Sequence, residues 1–133
     1  MSQNLALGRI GQIVRTVRDI DEATAWYRDV LGLPLLYRFE GMAFFDLGGT
    51  RLYLQQSPEV APESILYFQV TDIHATHADL AGRGVDFTRA PQAIHKHADG
   101  TQEWLAFFTD PEGRTLALIA QLRDASMPQT ERR

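Results

Sequence analysis

Imidazole, carboxylate and guanidinium groups are the chemistry this chain can offer. It has no cysteine, so thiolate ligands, thiol nucleophiles and disulfide frameworks are excluded. His95 and His97 alternate, which puts both rings on one face of an extended strand, and Glu103 follows across Ala98-Asp99-Gly100. Two turn geometries are open there. A two-residue Asp-Gly turn pairs Lys96 with Glu103 and turns both histidines to the opposite face. A three-residue loop with Gly100 in a bulge pairs His95 with Glu103 and gathers all three groups. In that second arrangement His97, His95 or Glu103 is a candidate base.

A second group lies earlier. If Gly48-Gly49 is a two-residue type I′ or II′ turn, Asp46 pairs with Arg51 and Phe44 with Tyr53, all on one face, while Phe45 and Leu52 take the other. The plain reading of Asp46 and Arg51 is a cross-strand ion pair worth under ~1 kcal/mol. The functional reading is that Arg51, permanently charged and forked, grips a carboxylate, phosphate or enolate oxygen. His74 and His77 stand one helical turn apart, a spacing that could clip a metal but lacks a third donor; a solvated helix face is the simpler reading.

These residues need elements to hold them. Asp19-Ile20-Asp21-Glu22 predicts a helix start, with Asp19 capping and Glu22 completing a capping box. Ile20, Ala23, Trp26, Tyr27, Val30 and Leu31 follow the helical period, and Gly32 with Pro34 ends it. Strand 1 is expected over Arg9 to Val17 and strand 2 over Leu35 to Glu40. Ala43 to Leu54 supplies a hairpin, and the unit reads β-α-β-β-β. The order then repeats. Strand 5 is expected over Ile65 to Val70, a helix from Asp72 to Gly82 or Arg83, strand 6 over Val85 to Ala90 and again over Ile94 to His97, and strands 7 and 8 over Trp104 to Phe108 and Thr115 to Ile119. Ala106-Phe107-Phe108 echoes Ala43-Phe44-Phe45, and Asp110-Pro111-Glu112-Gly113 forms the turn between the last strands. The second unit carries about ten extra residues, in Thr88 to Gln102.

At 133 residues the chain is expected to be a single α+β domain. Its parts are module 1 (about 9–56), a linker (57–63), module 2 (about 64–121) and a polar tail (122–133). A net charge of −4 argues against a nucleic-acid surface. No apolar run is long enough for a membrane span. Met1 to Gly8 lacks a secretory signal, so the expected location is cytoplasmic.

The paired β-α-β-β-β units, the Val-x-Asp-Ile helix starts, Trp26-Tyr27-Arg28-Asp29-Val30-Leu31-Gly32-Leu33 and Asp110-Pro111-Glu112-Gly113 together resemble the vicinal oxygen chelate superfamily. This group contains the glyoxalases, bleomycin-resistance proteins and extradiol dioxygenases. The resemblance covers about residues 9 to 121. It implies two tandem modules forming a curled mixed sheet around a central cup that holds the ligand, and a homodimer as the common assembly. Metal-using members hold a divalent ion on up to four side chains, from the first and last strands of each module. Those places are Gln12, Tyr53, Ile65 and Ala117, where the family pattern has His and Glu. The resemblance together with this departure gives an expectation of no metal and no cofactor.

Tyr53 marks the cup face, which therefore carries Phe44, Asp46 and Arg51. The same parity adds Ile65, Tyr67 and Gln69 from strand 5 and Leu105 and Phe107 from strand 7, with Trp104, Ala106 and Phe108 on the helix side. His95 joins them if the three-residue loop forms. Three functions follow as expectations. The first is a metal-free binder of a small organic molecule, similar to the bleomycin-sequestering members. The second is a metal-independent isomerase, lyase or cyclase on a small carbonyl compound, with Arg51, Tyr53 or Tyr67 holding the oxyanion and His97 or Glu103 moving the proton. The third is a metal-dependent glyoxalase- or dioxygenase-type enzyme with a relocated site.

Overall fold

Asp19 starts the first helix in the way its side chain predicts: its Oδ1 accepts the Glu22 N–H at 3.1 Å. Helix α1 (Ile20–Ala25) runs into a π-helical turn, Trp26–Val30, closed by the Leu31 N–H donating to the Trp26 carbonyl. Gly32 at φ +79° then ends the segment. Ile20, Ala23 and Tyr27 are the buried face, and the Tyr27 ring lies 5.9 Å from that of Phe45 on the sheet beneath. The helix start is tied to the sheet as well, since the Ile20 N–H donates to the Gln56 side chain at 2.9 Å.

The computed structural model describes residues 9–123, which divide into two compact units between Glu63 and Ser64. The first has a four-stranded mixed sheet in the order β1 (Gln12–Val17), β4 (Arg51–Gln56), β3 (Met42–Asp46), β2 (Leu35–Phe39). β1 runs parallel to β4 and the other neighbours are antiparallel. Val17, Ala43, Phe45, Leu52 and Leu54 are buried on the helix side. In the second unit the order is β5 (Tyr67–Gln69), β8 (Thr115–Arg123), β7 (Thr101–Thr109), β6 (Phe87–Lys96), again with only the first pair parallel. Asp72 caps helix α2 (Ile73–Gly82) by accepting the Ala75 N–H at 3.0 Å. Ile73, Leu80, Val85, Ala106, Phe108, Leu116, Leu118 and Ala120 form its core. This is the α+β pattern of two tandem β-α-β-β-β modules expected from the sequence.

Several boundaries differ from expectation. β1 begins at Gln12, not Arg9. β5 is only Tyr67–Gln69, so Ile65 lies outside the strand and is 40% exposed. Pairing with β8 extends just one bond further on each side, through the Leu66 carbonyl and the Val70 N–H. Strand 6 is one ten-residue strand, not two. Its extra residues are taken up by three register shifts against β7, at Phe87/Arg89, Arg89/Gln92 and Ala93/His95. Pro91 fits because β6 is an edge strand. β8 continues through Leu122 and Arg123, which pair with Gln102 and Thr101, so the expected polar tail starts two residues too early. Its remainder, 124–133, lies outside the described residues.

Candidate functional site

Each sheet has one face under a helix and one open face, and the candidate residues that lie on strands fall on the open faces, Ile65 and His97 lying just outside β5 and β6. In the first unit the hairpin turn decides this. Gly48 and Gly49 have φ of +72° and +106°, and the Leu47 N–H donates to the Thr50 carbonyl at 2.7 Å. This two-residue turn sets Asp46 opposite Arg51 and Phe44 opposite Tyr53. Parallel pairing of β1 brings Gln12 beside Arg51.

The expected Asp46–Arg51 ion pair does not form. Asp46 Oδ1 accepts the Gly49 N–H at 2.9 Å, stabilising the turn, while Arg51 Nε donates to Gln12 Oε1 at 2.9 Å. Both partners find nearer claims on their polar atoms than each other.

Phe44 and Tyr53 stack with centroids 4.5 Å apart and planes 7° from parallel. Tyr37 and Phe39 stand edge-on to Phe44 at 6.1 and 6.2 Å, and the Arg51 guanidinium carbon lies 5.8 Å from the Phe44 centroid. These five side chains and Gln12 line a wide, shallow hollow of about 510 Å³. Sequence reasoning missed Tyr37 and Phe39, which are 52% and 53% exposed. Their alternation on β2 was the available signal, but the register shift between Leu35 and Tyr37 hides which face they take.

In the second unit the three-residue loop is the geometry present. His95 pairs with Glu103, the His97 N–H donates to the Thr101 carbonyl at 2.8 Å, and Gly100 has φ +92°. Glu103 shares its face with Leu105 and Phe107, since Ala106 and Phe108 are fully buried on the helix side and Trp104 meets His74 of α2. A chain of side chains runs across β5, β8 and β7 to His97, the residue just after β6. Gln69 Nε2 donates to Gln121 Oε1 (2.7 Å), Gln121 Nε2 donates to Glu103 Oε1 (3.0 Å), and Glu103 Oε2 meets His97 Nε2 at 2.7 Å. The His97 contact, then that of Gln121, holds the Glu103 carboxyl below the usual carboxylate range, against a smaller opposing effect of burial. A carboxylate only accepts, so Nε2 of His97 carries the proton and Nδ1 of a neutral ring keeps its lone pair. The His95 ring stands edge-on to His97 at 4.7 Å.

Tyr67 meets Phe107 edge-on at 6.3 Å, and Ala117, in register with both, is fully buried. His74 is exposed and His77 half-buried, in keeping with the expected solvated helix face, but their rings also touch the sheet. They pack edge-on to Trp104 (4.8 Å) and Phe87 (4.4 Å), so their spacing serves the helix–sheet contact.

Residues 9–118 match the model of the Glyoxalase/Bleomycin resistance protein/Dioxygenase superfamily. The chain belongs to that superfamily. It is 34% identical to the metallothiol transferase FosB of Staphylococcus haemolyticus over 70 residues, which are 53% of this chain and 50% of that protein. The match thus spans about half the length of that relative. An uncharacterised protein of Bacillus subtilis, YraH, is 28% identical over 131 residues, covering 84% of this chain and 97% of the relative. Among solved structures, a superfamily member from Alicyclobacillus acidocaldarius superposes with a TM-score of 0.70 at 20% identity, covering 90% of this chain and 96% of that one. One from Nocardioides gives 0.67 at 20% identity, with 95% and 91% covered. Such structural likeness establishes the superfamily fold.

At the four positions that the resemblance implies for metal ligands, Gln12, Tyr53, Ile65 and Ala117, the residue types do not suit a divalent cation. Gln12 offers a neutral amide oxygen already engaged by Arg51, and the Tyr53 ring is stacked on Phe44. Ile65 and Ala117 have no lone pair, and metal sites of this kind need imidazole nitrogen or carboxylate oxygen. Among the described residues, no group of three or more His, Cys, Asp or Glu side chains is placed to hold a metal ion. No helix among them is long and apolar enough to cross a membrane.

Proposed function

We propose that this superfamily member binds a small organic molecule on the open aromatic face of its first unit, without a metal ion. The observation that carries the reading is the gathering of Tyr37, Phe39, Phe44 and Tyr53 around one hollow, with two of the rings more than half exposed. Clustered apolar area left open to water, rimmed by a few polar anchors, is the composition of a ligand site. Gln12 and Arg51 are those anchors. The reading extends to a homodimer in the cytoplasm; light scattering tests the first and fractionation the second.

The deciding experiment is a ligand-observed NMR screen of small organic compounds against the purified protein, with and without a chelator. Hits should survive chelation and be lost in Tyr53→Ala. Hits that vanish with the chelator would show that the metal-free reading is wrong. A screen with no hits at all would remove the binding reading itself.

The hydrogen-bonded chain on the second unit favours one further reading, a metal-independent enzyme that moves a proton next to a carbonyl group. Glu103 orients His97 and leaves Nδ1 as the proton acceptor, in the way a base is held by a carboxylate behind it. Gln121 and Gln69 in turn hold Glu103. Deuterium incorporation from heavy water into small ketones and aldehydes tests it. Exchange that persists unchanged in His97→Ala would dismiss His97 as the base.

A further inference from the structure

The first unit has a second, more polar hollow of about 290 Å³, lined by Arg9, Leu36, Asp46, Thr50 and Arg51 together with the glycine backbone at Gly11 and Gly49. Arg51 lines both hollows, the aromatic one and this one. From this adjacency we infer that the ligand is a planar aromatic anion, with its ring on the Phe44–Tyr53 surface and its carboxylate, or an equivalent oxyanion, on the Arg51 guanidinium. The inference rests on the binding function proposed above and names its ligand class.

Three observations support an anion over a neutral or cationic molecule. Arg51 spends only Nε within the described residues, on Gln12, so both terminal nitrogens are available as a fork for a ligand oxygen, on a side chain that lines the polar hollow. Arg9 is fixed beside it, with Nε and Nη2 both donating to the Gly49 carbonyl at 3.2 and 3.0 Å. The hollow thus holds two guanidinium groups against the single carboxylate of Asp46, a local positive excess on a chain of net charge −4.

Clustered aromatic rings are also the residue types that hold organic cations. Here that alternative is disfavoured by position. Among the described residues the cation beside the Phe44 ring is Arg51, and a second cation on that surface would meet its repulsion. The near-parallel Phe44 and Tyr53 rings make a flat aromatic stack, which suits a flat ring lying against it better than a compact ammonium group needing walls on several sides.

The test compares three probes of one ring size by calorimetric titration: 2-naphthoate, 2-naphthylmethanol and 2-naphthyltrimethylammonium. Naphthoate should bind at least about tenfold more tightly than either of the others, the gain of one charge-assisted contact. Arg51→Gln should collapse that preference, bringing naphthoate to the level of naphthylmethanol, and Arg9→Gln should reduce it a few-fold. Phe44→Leu should weaken naphthoate and naphthylmethanol alike. Equal or tighter binding of the alcohol or the ammonium probe would overturn the inference while leaving the binding function standing. So would naphthoate affinity that ignores Arg51→Gln. Failure of all three probes to bind would overturn both.

Discussion

Replacing Asp110 by alanine should destabilise the second unit by about 3 kcal/mol, and the reason lies in a few atoms. Asp110 is the first residue of the turn joining β7 to β8, and its side chain is fully buried. Oδ1 accepts two backbone N–H groups, from Glu112 and Arg114, each at 2.9 Å, and Oδ2 accepts Arg114 Nε–H at 3.2 Å. The backbone closes the same loop, with Gly113 N–H donating to the Asp110 carbonyl and Asp110 N–H to that of Arg114. Pro111 sits at the first central position and Gly113 takes φ +82°, so the loop is a β-turn followed by a left-handed residue.

Hydrogen bonds to a charged group contribute about 1.5–3 kcal/mol each in net terms, and removing one partner of a buried ion pair costs about 3–5 kcal/mol. These figures overlap because the same carboxylate serves all three contacts. Water can also reach the freed amides at a surface turn, which sets the estimate near the bottom of the ion-pair range. Urea unfolding measures it. With a slope of about 2 kcal/mol/M, the midpoint of Asp110→Ala should fall by roughly 1.5 M. Asp110→Asn keeps one acceptor oxygen for the backbone amides and should lose about half as much. A midpoint shift below about 0.5 M for the alanine variant would refute the reasoning, because the carboxylate would then not be what holds the turn. The same turn fixes the register that sets Glu103 against Gln121. The alanine variant should therefore also speed hydrogen exchange at the amides of the β7–β8 ladder.

Two other predictions concern the candidate faces. Gly48→Ala meets no neighbouring atom, and only its positive φ opposes it, at a cost of about 1–2 kcal/mol. Gly49→Ala adds a Cβ at 3.4 Å from Arg9 Nε and sits at φ +106°, so its urea midpoint should fall further than that of Gly48→Ala; the reverse order would discard the turn geometry. For Glu103 the folded-state carboxyl is held below its ordinary range, so its stabilisation is present above the unfolded carboxylate pKa and lost as pH falls through the lower folded value. The stability gap between the wild type and Glu103→Gln should accordingly be present above the unfolded carboxylate range and close as pH falls through the lower folded value; a gap that persists once the carboxyl is protonated would contradict the hydrogen-bonded chain.

What the sequence disclosed about these faces depended on whether local chemistry was sufficient. The Gly48-Gly49 turn fixes register by its length, and the Asp46–Arg51 and Phe44–Tyr53 pairings follow from it alone. The destinations of those side chains did not follow. Arg51 is claimed by Gln12, a residue distant in sequence that parallel strand pairing brings alongside. Asp19 and Asp72 announce their caps within three residues. Ile65 looked like strand because apolar residues precede Tyr67, yet β5 is an edge strand whose length is set by its single neighbour, β8. At Ala98-Asp99-Gly100 the residue types permit two loops, and only the β6–β7 pairing selects the one that gathers His95, His97 and Glu103.

The two units show how one scaffold can carry different surfaces. Both place a first strand parallel to a last strand, so residues on the two can meet across a single hydrogen-bonded spacing on the open face. A metal site exploits that geometry by putting lone-pair donors on both strands. In the first unit the neighbours are Gln12 and Arg51, an amide that buttresses a cation, and Arg51 would repel a divalent ion. In the second they are Tyr67 and Ala117, a ring beside a buried methyl group. Each pairing presents hydrogen bonding or apolar area where a metal site would need lone-pair donors on both strands. Aromatic rings left half in water are disfavoured in a surface with no partner. Tyr37 and Phe39, more than half exposed, stand with Phe44 and Tyr53 beside a guanidinium, and the proposed binding function rests on that gathering.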